Sequence, residues 1–208
     1  MQGNSGGGRG TTAHFIQLNR HILDCGSTVE LCELIQARVA EFNHVNVATA
    51  WRKLLQSRRD GVHNRVMEGA LQALEAAALR RMDAFEAQEV ANILHIMAKT
   101  RYRPWDPAVV PKLEGRAEAV AGTFNAQNVA NTLWAYVTMG RAPGAGLMRA
   151  LEGRAQALAS ILNPQNLSMT LWAYATIGRA PGAGLMRELE RRAEVLAGTF
   201  NAQDAANT

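Results

Sequence analysis

The sequence predicts an all-α fold, an α-α superhelix (a solenoid of helix-hairpin repeats), and three observations predict it. The phrase "FNAQNVANTLWAY" at 124–136 returns as "LNPQNLSMTLWAY" at 162–174 and as "FNAQDAANT" at 200–208, so Phe124, Leu162 and Phe200 stand 38 residues apart. Self-similarity at a fixed period of roughly 20 to 50 residues marks a stacked array. Within a copy, Val129, Leu133, Tyr136 and Val137 recur at helical spacing. No stretch alternates apolar and polar residues as a strand would.

Residues 1–12, "MQGNSGGGRGTT", are glycine-rich and predict a flexible, disordered lead-in. Residues 13–84 read as divergent helical repeats, with "FNHVNVATAWRKLL" from Phe42 as a faint copy of the unit. Residues 85–208 read as regular repeats of 38 to 39 residues, opened by "FEAQEVANILHIM" at Phe85. Asn43, Asn125 and Asn201 each follow a Phe and precede an apolar helical pattern, the place of an N-cap. Asn163 does the same, with Pro164 at home in the first helical position. Phe124 with Val129, and Phe42 with Val47, have the spacing of a hydrophobic staple. Gly140 is placed to end the first helix in a left-handed turn. Pro143 is expected to open the second helix, with Leu147, Leu151, Ala155 and Leu158 as its buried stripe, and Gly122 and Gly198 to stop the equivalent helix in the neighbouring copies. Thr208 matches Thr132, so the phrase breaks off inside a first helix and the chain is expected to be truncated there.

Bulk composition narrows the function. A hydrophobic share of 48% with 19% charged residues is ordinary for a globular protein. A net charge of +4 permits an anionic partner without demanding one. No run approaches the ~18 apolar residues of a membrane span. Cys25 and Cys32 are too few for a disulfide framework and are read as core filler, and no Cys/His pattern has ligand spacing, so neither metal nor cofactor is expected. No nucleophile–base arrangement or paired carboxylates stand out. "GRAPGAG" joins two helices and lacks the Lys-Ser/Thr of a phosphate loop, so no catalytic residue is assigned and the chain is read as a non-enzyme. The absence of acidic residues before Asp24, with Arg9 and Arg20 present, leans weakly toward an organelle transit peptide.

On a helical wheel the first helix sets Val129, Ala130, Leu133, Tyr136 and Val137 on one arc. Gln127, Asn128, Asn131, Thr132 and Thr138 fall on the other. An amide-rich face almost free of charge suits hydrogen bonding to base edges. The column of Asn128 holds Asn46, Glu89, Asn166 and Asp204, and that of Asn131 holds Thr49, Asn92, Met169 and Asn207. Variation among polar residues fits a module tuned to different bases; it equally fits exposed positions that drift. Trp134 shares its column with Arg52, His95 and Trp172, each able to stack on a base or to pack between units. Arg141 and Arg179 in the turn, with Arg101 and Arg103 upstream, could track phosphates or complement a helix C-terminus. Glu114, Glu152 and Glu190, with Arg116, Arg154 and Arg192, form a ladder on the second helices, read as bridging neighbours or facing water.

A 38-residue unit reading "FNAQNVANTLWAY…GRAPGAGLM…LEGRAQALA" resembles the octotricopeptide-type repeats of algal and protist organelle proteins, especially chloroplast translation factors. The stretch "LNRHILDCGSTVELCELIQARVAEFNHVNVATAWRKL" is similar to the lead-in helices of that group and of its FAST-kinase-like relatives. The likeness covers about 14–208, most strongly from 85 onward. It implies a single-stranded RNA-binding protein acting on stability, processing or translation of organelle transcripts, in the chloroplast or else the mitochondrion. Other proteins of an organelle ribonucleoprotein are the further partners it implies. The chain departs from the family where many repeats carry "PPPEW": the nearest approach is "YRPWDP" at 102–107, so the family's base code does not carry over. The resulting RNA-binding candidates are Glu89, Asn92, His95, Asn128, Asn131, Trp134, Arg141, Asn166, Trp172 and Arg179. The competing reading is a protein-interaction scaffold of stacked helix pairs.

Overall fold

The structure, a computed structural model, describes residues 7–57 and 65–199. Among the described residues there are helices and no strands. They are α1 (Gly7–Asp24), α2 (Thr28–Arg38), α3 (His44–Ser57), α4 (Arg65–Arg81), α5 (Ala87–Lys99), α6 (Val109–Val120), α7 (Ala126–Thr138), α8 (Ala145–Leu158), α9 (Pro164–Ile177) and α10 (Ala183–Leu196). The chain divides into two compact units. The first comprises Met1–Phe85 with Pro104–Val109, the second Glu86–Arg103 with Val110–Thr208.

In the first unit α1 packs on α3, while α2 and α3 pack on α4. Its core gathers Leu18, Ile22, Leu31, Ile35, Phe42, Trp51, Leu54 and Leu74. The Lys53 ammonium reaches the end of α1, donating to the carbonyls of Ile22, Leu23 and Cys25 at 2.6–3.0 Å. Cys25 and Cys32 are both free and buried. Helix α1 begins at Gly7, inside the stretch read from composition as disordered. Extending an existing helix needs no new nucleus, which offsets the ~1 kcal/mol that each glycine costs.

In the second unit α5 packs against α7, and α7 against α9; α8 packs on α7 and α10. The first helices of successive repeats therefore lie side by side. Each repeat is punctuated the same way. The second helix closes in a 3-10 turn, as at Ala121–Thr123 and Ala159–Ile161, followed by one buried residue in extended conformation. That residue, Phe124 or Leu162, sits just before the N-cap. Asn125 and Asn163 then accept from the backbone N–H groups of Asn128 (2.8 Å) and Asn166 (2.7 Å), as Asn43 does for Asn46 in the first unit. Asn201 lies outside the described residues.

Two helix boundaries differ from expectation. Gly140 and Gly178 do adopt the left-handed conformation, at φ 72° and 73°. Gly122 does not, because the 3-10 turn ends its helix with ordinary negative φ; Gly198 sits in a matching 3-10 turn. Helix α8 starts at Ala145 rather than at Pro143, because Gly144 is the N-cap and its N–H is held by a side chain from the preceding repeat.

One core position carries a defect. The Thr132 hydroxyl is fully buried and has no hydrogen-bond partner among the described residues, whereas Thr170, 38 residues on, donates to the Asn166 carbonyl at 2.7 Å. Leaving a buried hydroxyl unsatisfied costs about 1–3 kcal/mol. Thr132→Val keeps the shape and removes the hydroxyl. It is expected to raise the unfolding free energy by about 1 kcal/mol, seen as a higher denaturation midpoint at unchanged slope; a lower midpoint would show the hydroxyl to be satisfied.

Candidate nucleic-acid interface

A first helix flanked by siblings on both sides buries more than one face. In α7 the buried residues are Asn128, Val129, Ala130, Thr132, Leu133, Ala135 and Tyr136. The side opposite the apolar arc is thus not all open. Asn128 is 7% exposed, Asn166 8% and Thr132 fully enclosed, which corrects their placement on a solvent face. The reason is positional. Asn128 and Asn166 occupy the third residue of their helices, tucked over the N-cap.

The same column performs capping elsewhere in the chain. Glu89 accepts from the backbone N–H of Glu86 at 2.9 Å, completing a reciprocal capping box. Asn46 turns its oxygen to the Asn43 N–H and its amide to the Phe15 carbonyl at 3.0 Å. Glu89 and Asn46 thereby hold helix ends together, and so do the N–H groups of Asn128 and Asn166.

What remains accessible on each first helix is a narrower stripe. On α7 it is Gln127, Asn131, Trp134 and Thr138, at i, i+4, i+7 and i+11, with the two ends exposed and the middle half-buried. At 3.6 residues per turn these four fall within an arc of about 60°. On α5 the matching stripe is Gln88, Asn92, His95 and Lys99; on α9 it is Gln165, Met169, Trp172 and Thr176. Since α7 packs between α5 and α9, the stripes run abreast. Gln88, Gln127 and Gln165 are all exposed and form a row that sequence reasoning did not single out. The periodicity was visible, but the wheel assigned the helix one buried side instead of three.

The aromatic column bridges repeats. The His95 and Trp134 rings lie 4.8 Å apart between centroids, tilted by 35°. His95 Nδ1 is buried without a partner among the described residues. Burial, aided by the Lys99 ammonium, holds the imidazole below the ordinary histidine range, so the ring is mostly uncharged at neutral pH. Trp172 is half-buried in the corresponding place on α9.

The turn arginines divide into two kinds. Arg141 approaches the Glu114 carboxylate at 3.9 Å and lies over the Tyr136 ring, and Arg179 meets Glu152 at 3.3 Å. Both guanidiniums are therefore engaged by a carboxylate of the preceding repeat. Arg101 and Arg103 are exposed and make no ion pair among the described residues. Arg101 is also the residue at φ 52° in the position that Gly140 and Gly178 fill in the later repeats. Its turn is a Schellman end: Arg101 N–H donates to Ala98 and Tyr102 N–H to Met97, at 3.1 and 2.8 Å. A left-handed residue with a side chain costs about 1–2 kcal/mol over glycine.

The charged ladder of the second helices serves the backbone. Glu114 accepts from the Gly144 N–H and from the Tyr136 hydroxyl, each at 2.9 Å, and Glu152 accepts from the Gly182 N–H at 2.8 Å. Gly144 and Gly182 are the N-caps of α8 and α10, and a Cβ at either would collide with the incoming carboxylate. Close approach thus accounts for Gly144 in "GRAPGAG", while Gly140 supplies the left-handed turn. Burial first, and then Glu114, push the Tyr136 phenol far above its usual range, so it stays protonated and donates. Tyr174 is buried too, with Glu152 nearby also pushing its phenol up, but among the described residues its hydroxyl has no hydrogen-bond partner. The arginines run the other way: Arg154 and Arg192 donate to the carbonyls of Phe124 and Leu162 at 2.6 and 2.7 Å. Arg141, Arg179 and the ladder therefore bind neighbouring repeats together, a role for the turn arginines that neither sequence reading contained.

No described helix is long and apolar enough to cross a membrane, and among the described residues no cluster of His, Cys, Asp or Glu is fit to hold a metal. The chain matches no model of a known protein family and no curated protein.

Proposed function

We propose that this chain binds single-stranded RNA along the stripes of α5, α7 and α9. On this reading the hairpins are successive turns of one α-α superhelix, and the bound strand is an organelle transcript, in the chloroplast before the mitochondrion. Its stability, processing or translation changes because a segment is covered or remodelled, with chemistry left to other proteins of the same ribonucleoprotein. The observation that carries the reading is the row Gln88, Gln127 and Gln165, exposed on helices packed side by side and followed by Asn92 and Asn131. Solvated helix faces usually fill with Lys and Glu; here donor–acceptor amides repeat instead, next to rings on which bases can stack. Reading a base per helical repeat with two or three side chains is a known physical solution.

The test is a titration of RNA selected by the protein from a random pool, beside the unselected pool. Gln127→Ala with Asn131→Ala removes two contacts to base edges at roughly 1 kcal/mol each, weakening the selected RNA by about tenfold or more. The unselected pool should lose less. Asn128→Ala with Asn166→Ala, at the buried column, should lower thermal stability without altering the preference for selected RNA. Equal losses on both pools from the Gln127/Asn131 pair would sink base reading. Absence of any RNA binding at low salt would leave the interaction scaffold in its place.

A further inference from the structure

We infer that phosphate contact is concentrated at the turn after α5, on Arg101 and Arg103, while the remainder of the strand is held by its bases and adds little to salt dependence. The inference rests on the RNA reading above and assigns the electrostatic half of that same site. Four observations point there. Arg101 and Arg103 follow closely on Lys99, the last residue of the α5 stripe, and so stand at the edge of the face on which the strand would cross α5. Both are exposed and in no ion pair among the described residues, whereas Arg141 and Arg179 are held by Glu114 and Glu152. The second-helix guanidiniums of Arg154 and Arg192 are occupied by backbone carbonyls. Finally, Arg101 keeps a side chain at φ 52° where the sibling turns have glycine at φ 72° and 73°. Backbone strain of this kind clusters at ligand-binding and other functional sites.

The ligand chemistry follows. A guanidinium grips a phosphate oxygen pair, and apart from Lys99 the amide–aromatic stripes carry no cation to offer a polyanion. Each phosphate neutralised on a single strand steepens the log–log salt dependence by about 0.7. The two arginine contacts therefore contribute about −1.4 to the slope.

The experiment uses the full chain and a labelled pool of random single-stranded RNA, titrated between ~50 and ~200 mM salt. Arg101→Gly relieves the left-handed residue, so it should melt about 2 °C higher than the parent. It should nonetheless bind about three- to tenfold more weakly at the low-salt end, with a slope flatter by about 0.7. A more stable protein that binds less well separates the guanidinium's task from folding. Arg103→Ala should flatten the slope to the same degree, and Arg141→Ala with Arg179→Ala should leave it unchanged. Wild-type affinity and slope in Arg101→Gly, or a slope that responds to the Arg141/Arg179 pair instead, would overturn the assignment while leaving RNA binding intact. A wild-type chain that binds no RNA at low salt removes the RNA reading, and the assignment with it.

Discussion

Phe124→Ala should lower the unfolding free energy by about 3–5 kcal/mol. The ring is completely enclosed, at the junction where a second helix has just ended and the next first helix is about to start. Its removal takes away transfer energy and leaves a cavity that rigid helices on every side cannot close. The chain supplies its own control. Leu162 fills the same place one period later and is 1% exposed, so the site accepts a branched aliphatic when the surroundings have adjusted to it. Phe124→Leu is therefore expected to cost only about 1–1.5 kcal/mol. Chemical denaturation of the two variants measures both; an alanine variant within about 1 kcal/mol of the parent would mean that the neighbours collapse into the space.

Glu75→Ala should cost about 3 kcal/mol, for an electrostatic rather than a packing reason. Glu75 is 2% exposed in α4 and accepts from the backbone N–H groups of Trp105 (3.2 Å) and Asp106 (3.1 Å). These are the donors in the turn before α6 that correspond to Gly144 before α8. Alanine leaves two partly buried donors without an acceptor, each worth about 1–3 kcal/mol. Glu75→Gln should fall between, since a carboxamide oxygen can serve one donor while its NH2 faces the other. Equal denaturation midpoints for the parent and the alanine variant would show that water satisfies both N–H groups.

Much of this architecture could be read from the residues. The recurrence of Phe124 at Leu162, the capping Asn residues and the left-handed Gly140 are local properties, and local rules find them. What could not be read depends on neighbours that no single helix reveals. Asn128 looked like a solvent-facing amide because a wheel knows one helix; it is buried because α7 has a sibling on either flank. Glu114 and Arg154 belong to a ladder that, recurring in step, reads as bridging neighbours or facing water. Each serves a backbone group 30 residues away, which charge pattern alone does not disclose. Arg101 and Arg141 looked equivalent until φ and ion pairing told them apart.

The carboxylate that fastens one hairpin to its successor has a consequence for how such a chain can change length. Donor and acceptor, Glu114 with Gly144 and then Glu152 with Gly182, recur in two successive copies at one fixed offset. A duplicated segment of 38 residues therefore arrives already carrying both halves of its own fastening, and an excised one leaves a matching pair behind. Growth by whole periods requires no new interface to be invented, whereas a shift of one residue would carry the carboxylate away from the N–H that it serves.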